Sequence, residues 1–475
     1  MAEKNRARQL VVIGAGPGGY AAAFHAADLG LQVTLIDPQI NPGGVCLYRG
    51  CIPAKVLLHM AKVIADAKQA EGWGIAFAEP KIDLEKIRSF KTSVIKKLTE
   101  GLGQLCRHRK IEFIQGLAGF IDSHTLDVKT KSNTTEKLQF DHAIIATGSY
   151  PATIPSIPAN SPAVMDSAKA LQLTSVPESL LVIGGGYIGL ELGSVYAALG
   201  ARVSVVEMTP NLMPGSDPEL VSILAKRLKT LFEEIMLNTT VAQIEQQDAN
   251  LRVTFEGQDL PGKEGLYEKV LVAVGRKPNS AGLGLENTKA QIDEKGYIEV
   301  DKKRQTEDSS IYAVGDVAGP PQLAHKATHE GMVAADAIAG LDATFEPHVI
   351  PFVIYTEPEV AECGLSESQA KKQNRMVKIA KFPWQASGRA ATMGKSDGLT
   401  KLLIDPSTDK VLGAGIVGTT AGELISETAL AIEKAATAQD LASTIHPHPT
   451  LSETLMEAAQ LYLGRCLHFY RPKRP

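Results

Sequence analysis

Cysteine is scarce, with five residues in a chain of 475. That excludes a disulfide scaffold, the device small secreted domains use when their cores are thin. Long apolar runs are missing as well: none approaches the ~18 residues of a membrane-spanning helix. Neither sign of charge dominates, with 49 basic and 53 acidic side chains, which argues against the basic face of a nucleic-acid binder. Only the tail, RPKRP, is locally basic, and it reads as a frayed terminus. No short repeat or low-complexity segment appears. The opening, MAEKNRARQLVVIG, runs straight into an apolar strand and leaves no room for a signal or transit peptide. A soluble, cytoplasmic protein of about three domains is expected, with no membrane span and no nucleic-acid partner.

What the sequence does contain is one pattern written twice. QLVVIG reads as a buried strand. Gly14-Ala-Gly16-Pro-Gly-Gly19 follows, then a helical stretch, then LQVTLID ending on Asp37. Strand, GxGxxG, helix, strand and acid make a dinucleotide-binding unit. Gly14 permits the tight turn, Gly16 lets backbone approach a pyrophosphate, and Gly19 lets helix and strand meet closely. The helix N-terminus offers free N–H groups and a positive dipole end to phosphates, and Asp37 can accept from ribose hydroxyls. The second copy runs from LLVI through Gly184-Gly-Gly186-Tyr-Ile-Gly189 to Glu207. Glu207 suits the free 2′-hydroxyl of NAD and repels the 2′-phosphate of NADP, and MTPNLMP supplies no arginine for such a phosphate. Two further stretches, AIIATG, turning at Gly148, and IYAVG, followed by Asp316, an acid able to grip a polyol, read on their own as ordinary strand ends.

Two of the five cysteines, Cys46 and Cys51, lie in GGVCLYRGCIPAK. As a zinc half-site they lack partners, because Cys106, Cys363 and Cys466 are scattered; no metal is expected. As a staple they close a loop of six residues, worth about 2 kcal/mol, which a core this large does not require. A redox pair fits the local chemistry better. Pro53 suits the first residue of a helix, which places Cys51 at the positive end, where a thiolate is favoured.

Near the C-terminus, IHPHPTLSE holds His448 between two prolines, out of any helix, with a helix expected from Thr450 or Leu451. A histidine held stiffly there is suited to proton transfer. Glu453 has two competing readings. Thr450-x-x-Glu453 matches a capping box; alternatively the carboxylate orients His448.

Taken together, these motifs resemble the flavoprotein disulfide reductases, the class I pyridine nucleotide-disulfide oxidoreductases, from Val11 to about Leu463. GGVCLYRGCIPAK is similar to GGxCxNxGCxPSK of that family. HPHPTLSE, GGGYIGLELG, AHKATHEG and YTEPEVAECGL resemble its dihydrolipoamide dehydrogenase branch. Glutathione reductases usually lack the first histidine and prefer NADP; mercuric reductases end in a cysteine pair, whereas this tail has only Cys466. A scaffold that has lost catalysis is hard to square with the full set of Cys46, Cys51, His448 and Glu453.

The resemblance implies an α/β protein: two Rossmann-like dinucleotide-binding domains plus a C-terminal α+β dimerisation domain. It divides as FAD-binding residues 1–150, NAD-binding 151–278, a central region 279–349 completing the FAD site, and an interface domain 350–475. FAD is implied on Gly14, Gly16, Gly19, Asp37, Lys55, Ala118, Gly148, Asp316 and Ala324. NAD is implied on Gly184, Gly186, Gly189, Glu207, Val241 and Gly275. Cys46 would exchange with substrate, Cys51 would contact the flavin, Lys55 would sit beside it paired with Glu191, and His448 with Glu453 would serve the partner subunit of a homodimer. The implied activity is oxidation of protein-bound dihydrolipoyl groups with NAD as acceptor, beside the lipoyl-bearing acyltransferase of a 2-oxo acid dehydrogenase complex. His446 is expected to be structural. Tyr48, Arg49 and Ala54 depart from the family motif, and Arg49, a fixed cation near both sulfurs, is expected to favour the thiolate.

Overall fold

The computed structural model describes residues 8–470 except 156, 158–160, 258–259 and 261–262. The RPKRP tail and part of the proline-rich linker after Tyr150 lie outside the described residues.

The first sheet is parallel at its centre. Arg8–Ile13 lies between Val33–Asp37 and Thr135–Ile145; Glu112–Asp122 flanks the former and Ile311–Ala313 the latter. The far ends of Glu112–Asp122 and Thr135–Ile145 are bridged by the antiparallel strand Thr125–Thr130. All five residues of Val33–Asp37 are buried, as expected of a parallel strand covered on both faces. The outer strand Ile311–Ala313 joins only after the whole second unit has been built. The second sheet repeats the plan, in the order Glu234–Met236, Arg202–Val206, Ser179–Ile183, Lys269–Val272 and Val164–Met165. An antiparallel meander, Thr239–Gln247, Asn250–Gly257 and Glu264–Tyr267, stands beside it.

Helix Pro17–Asp28 buries Ala22, Ala23 and Ala26. Such small side chains let helix Ala324–Ile338 come close: a Cβ at Gly331 would lie 2.3 Å from the Gly18 carbonyl oxygen. Further along, His25 Nε2 lies 2.6 Å from Asp336. The two helices therefore run side by side in one direction, and their N-termini open on the same side of the sheet.

The C-terminal sheet is antiparallel, in the order Phe352–Ile354, Glu359–Gly364, Val411–Gly418, Leu399–Ile404 and Lys378–Pro383. Helices Ala421–Glu433 and Glu453–Tyr462 cover it. Trp384 is wholly buried beneath them, its Nε1–H donating to Thr400 Oγ1 at 2.9 Å, and Thr400 in turn donates to Thr454 at 2.8 Å.

One apolar cluster joins all three parts. It contains Ala54 and Leu57 of helix Cys51–Ala70, Leu190 and Val195 of helix Tyr187–Ala198, and Ile354, Val360 and Val417 of the C-terminal sheet. Truncating a residue such as Leu57 to alanine would cost about 2–5 kcal/mol. More to the point, that shared core fixes how the cysteine-bearing helix sits against the other two parts.

Two boundaries differ from the sequence reading. The helix expected to open at Pro53 starts at Cys51, and a separate short helix, Gly44–Arg49, carries Cys46. Gly50, at φ −141° and ψ −114°, breaks the two apart. The helix expected from Thr450 or Leu451 starts at Glu453. Thr450 Oγ1 donates to Pro447 O at 2.8 Å, so Thr450 belongs to the turn that carries His448.

Candidate active site

The two glycine loops are built alike. A Cβ at Gly14 would stand 2.4 Å from the Ala146 carbonyl oxygen, and one at Gly184 would stand 2.4 Å from that of Ala273. With φ of +95° and +109°, both turns require glycine. A Cβ at Gly19 or Gly189 would overlap the carbonyl oxygen of Gly14 or Gly184, at 1.8 and 2.2 Å, so helix and turn touch as the motif reading expects. Asp37 accepts from Ala15 N and Gln39 N, each at 2.8 Å; Glu207 accepts from Gly185 N at 2.7 Å and Thr209 N at 2.8 Å. Backbone donors thus hold each buried carboxylate at a strand end, with lone pairs left over for a ribose.

The loops differ at their middle glycine. Nothing lies within 4 Å of a Cβ at Gly186, whereas Gly16 faces the Cα of Gly44. Gly44 has φ +57°, and a Cβ there would lie 2.5 Å from the Gly16 Cα. Gly44 is thus the residue whose lack of a side chain lets the cysteine segment lie directly on the first loop. Both loops fit a dinucleotide: free helix N–H groups, no side chain over the turn, and a fixed acid beyond it.

Cys51 is the first residue of its helix, at the positive end, and Cys46 sits on the short helix before it. Both are free thiols, Cys46 half-buried and Cys51 exposed. The Cys46 thiol donates to Cys51, and this lowers Cys51 to about 7; burial opposes the shift and the Lys55 cation assists it. Cys46 moves the other way, raised by that same bond and then by burial. In the dithiol, Cys51 is therefore the sulfur that ionises first. Lys55 Nζ reaches both Glu191 oxygens at 3.1 and 3.0 Å, and Glu191 is only 4% exposed. Arg49 is exposed at the end of the short helix. The cation that bears most on Cys51 is Lys55, one turn further along the same helix. Tyr48 donates to Asn41 O at 3.0 Å, and Ala54 is buried in the shared core.

Asp316 opens on the same side as both helix N-termini. Ser149 Oγ donates to it, and Arg276 Nε donates to Ser149 Oγ at 2.7 Å. Ala324 is the first residue of helix Ala324–Ile338, and Gly148 turns at φ +72°. Ala118 lies on strand Glu112–Asp122, facing Val128. On the second unit, Val241 sits beside a bulge in strand Thr239–Gln247, and Gly275 turns at φ +114° just after strand Lys269–Val272.

Near the C-terminus, His448 is exposed, with Nδ1 2.8 Å from Glu453 Oε1. The other oxygen, Oε2, accepts from Thr450 N at 2.7 Å. Burial raises the Glu453 carboxyl, but the Thr450 N–H and His448 outweigh it, so the group lies below its ordinary value. His446 is held by Thr444 O at 2.9 Å and Glu427 at 2.8 Å. Among the described residues, no hydrogen bond or ion pair joins the Cys46–Lys55–Glu191 group to the His448–Glu453 group.

Sequence reasoning missed several supporting groups. Glu330, wholly buried, accepts from Gly315 N at 2.7 Å and pairs with Arg304 at 2.6 Å and Lys326 at 3.0 Å, fixing the turn before Asp316. Ser149 and Arg276 also went unnoticed, because the partners that join them to Asp316 are more than 100 residues away. The one local signal was AHKATHEG, which carries Lys326 and Glu330 four residues apart.

Residues 8–331 match the family described as pyridine nucleotide-disulphide oxidoreductase, and residues 350–459 match that family's dimerisation domain. The dihydrolipoyl dehydrogenase of Haemophilus influenzae is 47% identical over 456 residues, covering 96% of this chain and 95% of that protein. The dihydrolipoyl dehydrogenase of Thermus scotoductus is 44% identical, covering 97% and 98%. Among solved structures, LpdA from Mycobacterium tuberculosis superposes with a TM-score of 0.89 at 26% identity, covering 96% of this chain and 99% of that one. The HOCl-induced flavoprotein disulfide reductase RclA from Escherichia coli reaches 0.84 at 27%, covering 95% and 99%. The fold, the doubled nucleotide unit and these matches agree: this chain belongs to the pyridine nucleotide-disulphide oxidoreductase family.

Proposed function

We propose that the chain is a dihydrolipoyl dehydrogenase, oxidising protein-bound dihydrolipoyl groups and reducing NAD. The observation that carries this reading is the contact of Gly44 with Gly16, which lays the cysteine segment on the first nucleotide loop. FAD, when bound there, supplies the carrier of the electron pair between the cysteine pair and NAD on the second unit. Gly14, Gly16, Gly19, Asp37 and Asp316 are the groups to hold FAD; Gly184, Gly186, Gly189 and Glu207 are those for NAD.

The residues act as follows. His448, oriented by Glu453, takes the proton of one dihydrolipoyl thiol. The thiolate attacks Cys46 Sγ, and the Cys46–Cys51 bond breaks with Cys51 leaving as a thiolate, stabilised by its helix end and by Lys55. The second dihydrolipoyl thiol, losing its own proton, attacks the mixed disulfide and releases Cys46. One disulfide is exchanged for another, and two electrons rest on the cysteines.

His448 serves the cysteine pair of the other subunit. The match of residues 350–459, which include His448, to a dimerisation domain supports this. The acyltransferase core of a 2-oxo acid dehydrogenase complex is the partner that presents the lipoyl group, and the cytoplasm is the compartment. Among the described residues no helix is long and apolar enough to cross a membrane. The test is a steady-state assay of dihydrolipoamide with NAD and with NADP. Turnover with NAD is expected; its absence, or equal rates with both nucleotides, overturns the reading.

A further inference from the structure

The Lys55–Glu191 pair joins the first nucleotide unit to the second. A third part of the molecule also holds it. Tyr355, just after strand Phe352–Ile354 of the C-terminal sheet, touches both partners. Its backbone N–H donates to Glu191 Oε1 at 2.9 Å. Its ring lies under the ammonium of Lys55, with Nζ 4.2 Å from the ring centroid. That is well within the range in which a cation is drawn to an aromatic face.

The segment after Tyr355 grips the same helix again. Glu357 accepts from Lys62 at 2.8 Å, seven residues beyond Lys55, and Lys395 binds Asp66 at 2.9 Å. Tyr355 is itself braced. A Cβ at Gly422 would lie 3.6 Å from Tyr355 Cε1, and Gly422 N donates to Glu359 at 2.8 Å. Ile354, the residue before it, is wholly buried in the core shared with Leu57 and Leu190. The ring is thus placed by the C-terminal sheet rather than by the cysteine helix.

We propose that Tyr355 is a positioning residue of the redox centre: its ring holds the Lys55 ammonium, and its N–H holds Glu191, in register with Cys51. A lysine has a flexible four-carbon stem. Without the ring, Glu191 alone holds Nζ, and the ammonium is free to pivot about that carboxylate and away from Cys51 one turn earlier. Through Tyr355, the part of the chain that matches the dimerisation domain sets the electrostatics of the thiolate. This rests on the reading of Cys46 and Cys51 as the redox pair.

The groups that bear on Cys51 are Cys46, Lys55, Glu191 and the phenols of Tyr20, Tyr187 and Tyr355. Glu359, Glu191 and Glu423 lie within electrostatic reach of the Tyr355 hydroxyl. That hydroxyl is not the acting group, so phenylalanine should replace tyrosine and leucine should not.

The experiment uses the holoenzyme carrying Cys46→Ser, with Cys51 followed by peptide-resolved mass spectrometry of iodoacetamide alkylation against pH. Tyr355→Leu is expected to raise the midpoint of Cys51 alkylation by about half a pH unit or more. Tyr355→Phe is expected to leave it in place, and melting temperatures recorded alongside separate this from a loss of stability. If the leucine protein does not fold, Tyr355→Met makes the same comparison. Coincident curves for the unaltered, leucine and phenylalanine proteins overturn the proposal, as does a phenylalanine shift equal to that of leucine. Failure of the functional reading shows elsewhere, as missing dihydrolipoamide turnover in the protein with Cys46 intact.

Discussion

Glu453 shares its two oxygens between His448 and the backbone: Oε1 lies 2.8 Å from His448 Nδ1, and Oε2 accepts from Thr450 N at 2.7 Å. The capping role and the orienting role are therefore not alternatives. The backbone bond fixes the carboxylate, and the carboxylate fixes the imidazole, leaving Nε2 outward. No side chain accepts from the N–H groups of the helix's first turn, so the capping box is only half made.

Removing the base should separate two activities. His448→Gln is expected to lower kcat with dihydrolipoamide by about 10²–10⁴-fold, the usual worth of a positioned base. Glu453→Gln keeps the Thr450 bond but not the charge, and should cost less, about tenfold or more. Oxidation of NADH by an artificial acceptor needs no proton abstraction from a thiol and should remain within about twofold. Loss of both activities together in His448→Gln would count against the role of the histidine.

The middle and first glycines of the loops should fail in different ways. Gly14→Ala puts a Cβ 2.4 Å from the Ala146 oxygen at a positive φ, so a lowered melting temperature and loss of yellow colour are expected. Gly186→Ala meets nothing within 4 Å. It should fold normally yet raise KM for NAD by about tenfold, because the added methyl stands where backbone must approach a pyrophosphate. Differential scanning fluorimetry and steady-state kinetics distinguish the two.

Glu207 is fixed by two backbone donors, so its charge cannot swing away from a 2′-phosphate. The unaltered protein should favour NAD over NADP by at least about a hundredfold in kcat/KM, which is about 2.7 kcal/mol. Glu207→Ala should lower kcat/KM for NAD and narrow that ratio. A ratio unchanged by the substitution would remove Glu207 from the discrimination.

A half-buried acid away from the chemistry should set a pH dependence of stability. Burial, and secondarily the Asp217 carboxylate, raise Glu362 from 4.5 to about 7, against the Asp217 N–H and Lys401. The unfolded chain ionises this group from its ordinary value, while the folded chain resists until about 7. Between the two the folded state binds more protons, so stability falls as pH rises through that window. Glu362→Gln mimics the protonated acid and keeps the 2.8 Å bond from Asp217 N. It should stabilise the protein by on the order of 2–3 kcal/mol at pH 8 and by nothing near pH 4.5. Urea titrations at the two pH values test this, and equal effects at both would contradict it.

Much of the site was legible because its parts are local. Gly14, Gly19 and Asp37 lie within one strand–helix–strand unit, and the same spacing recurs at Gly184, Gly189 and Glu207. Cys51 at a helix start could be read from Pro53 two residues on, although the start was placed two residues late because Gly50 breaks the chain there without itself belonging to a helix. The turn carrying His448 was visible in its prolines.

The sequence by itself determined which residues form each nucleotide loop, which cysteines form a pair, and which histidine stands free of a helix. Those facts depend on backbone geometry over a few residues. Tertiary structure alone decided that Glu330 fixes the turn before Asp316, and that Tyr355 touches a pair made by residues 55 and 191. Charges and rings act over a few ångströms of space, and the residues that meet there are 136 and 164 positions apart in the chain. Only the shared core of Leu57, Leu190 and Ile354 brings them together.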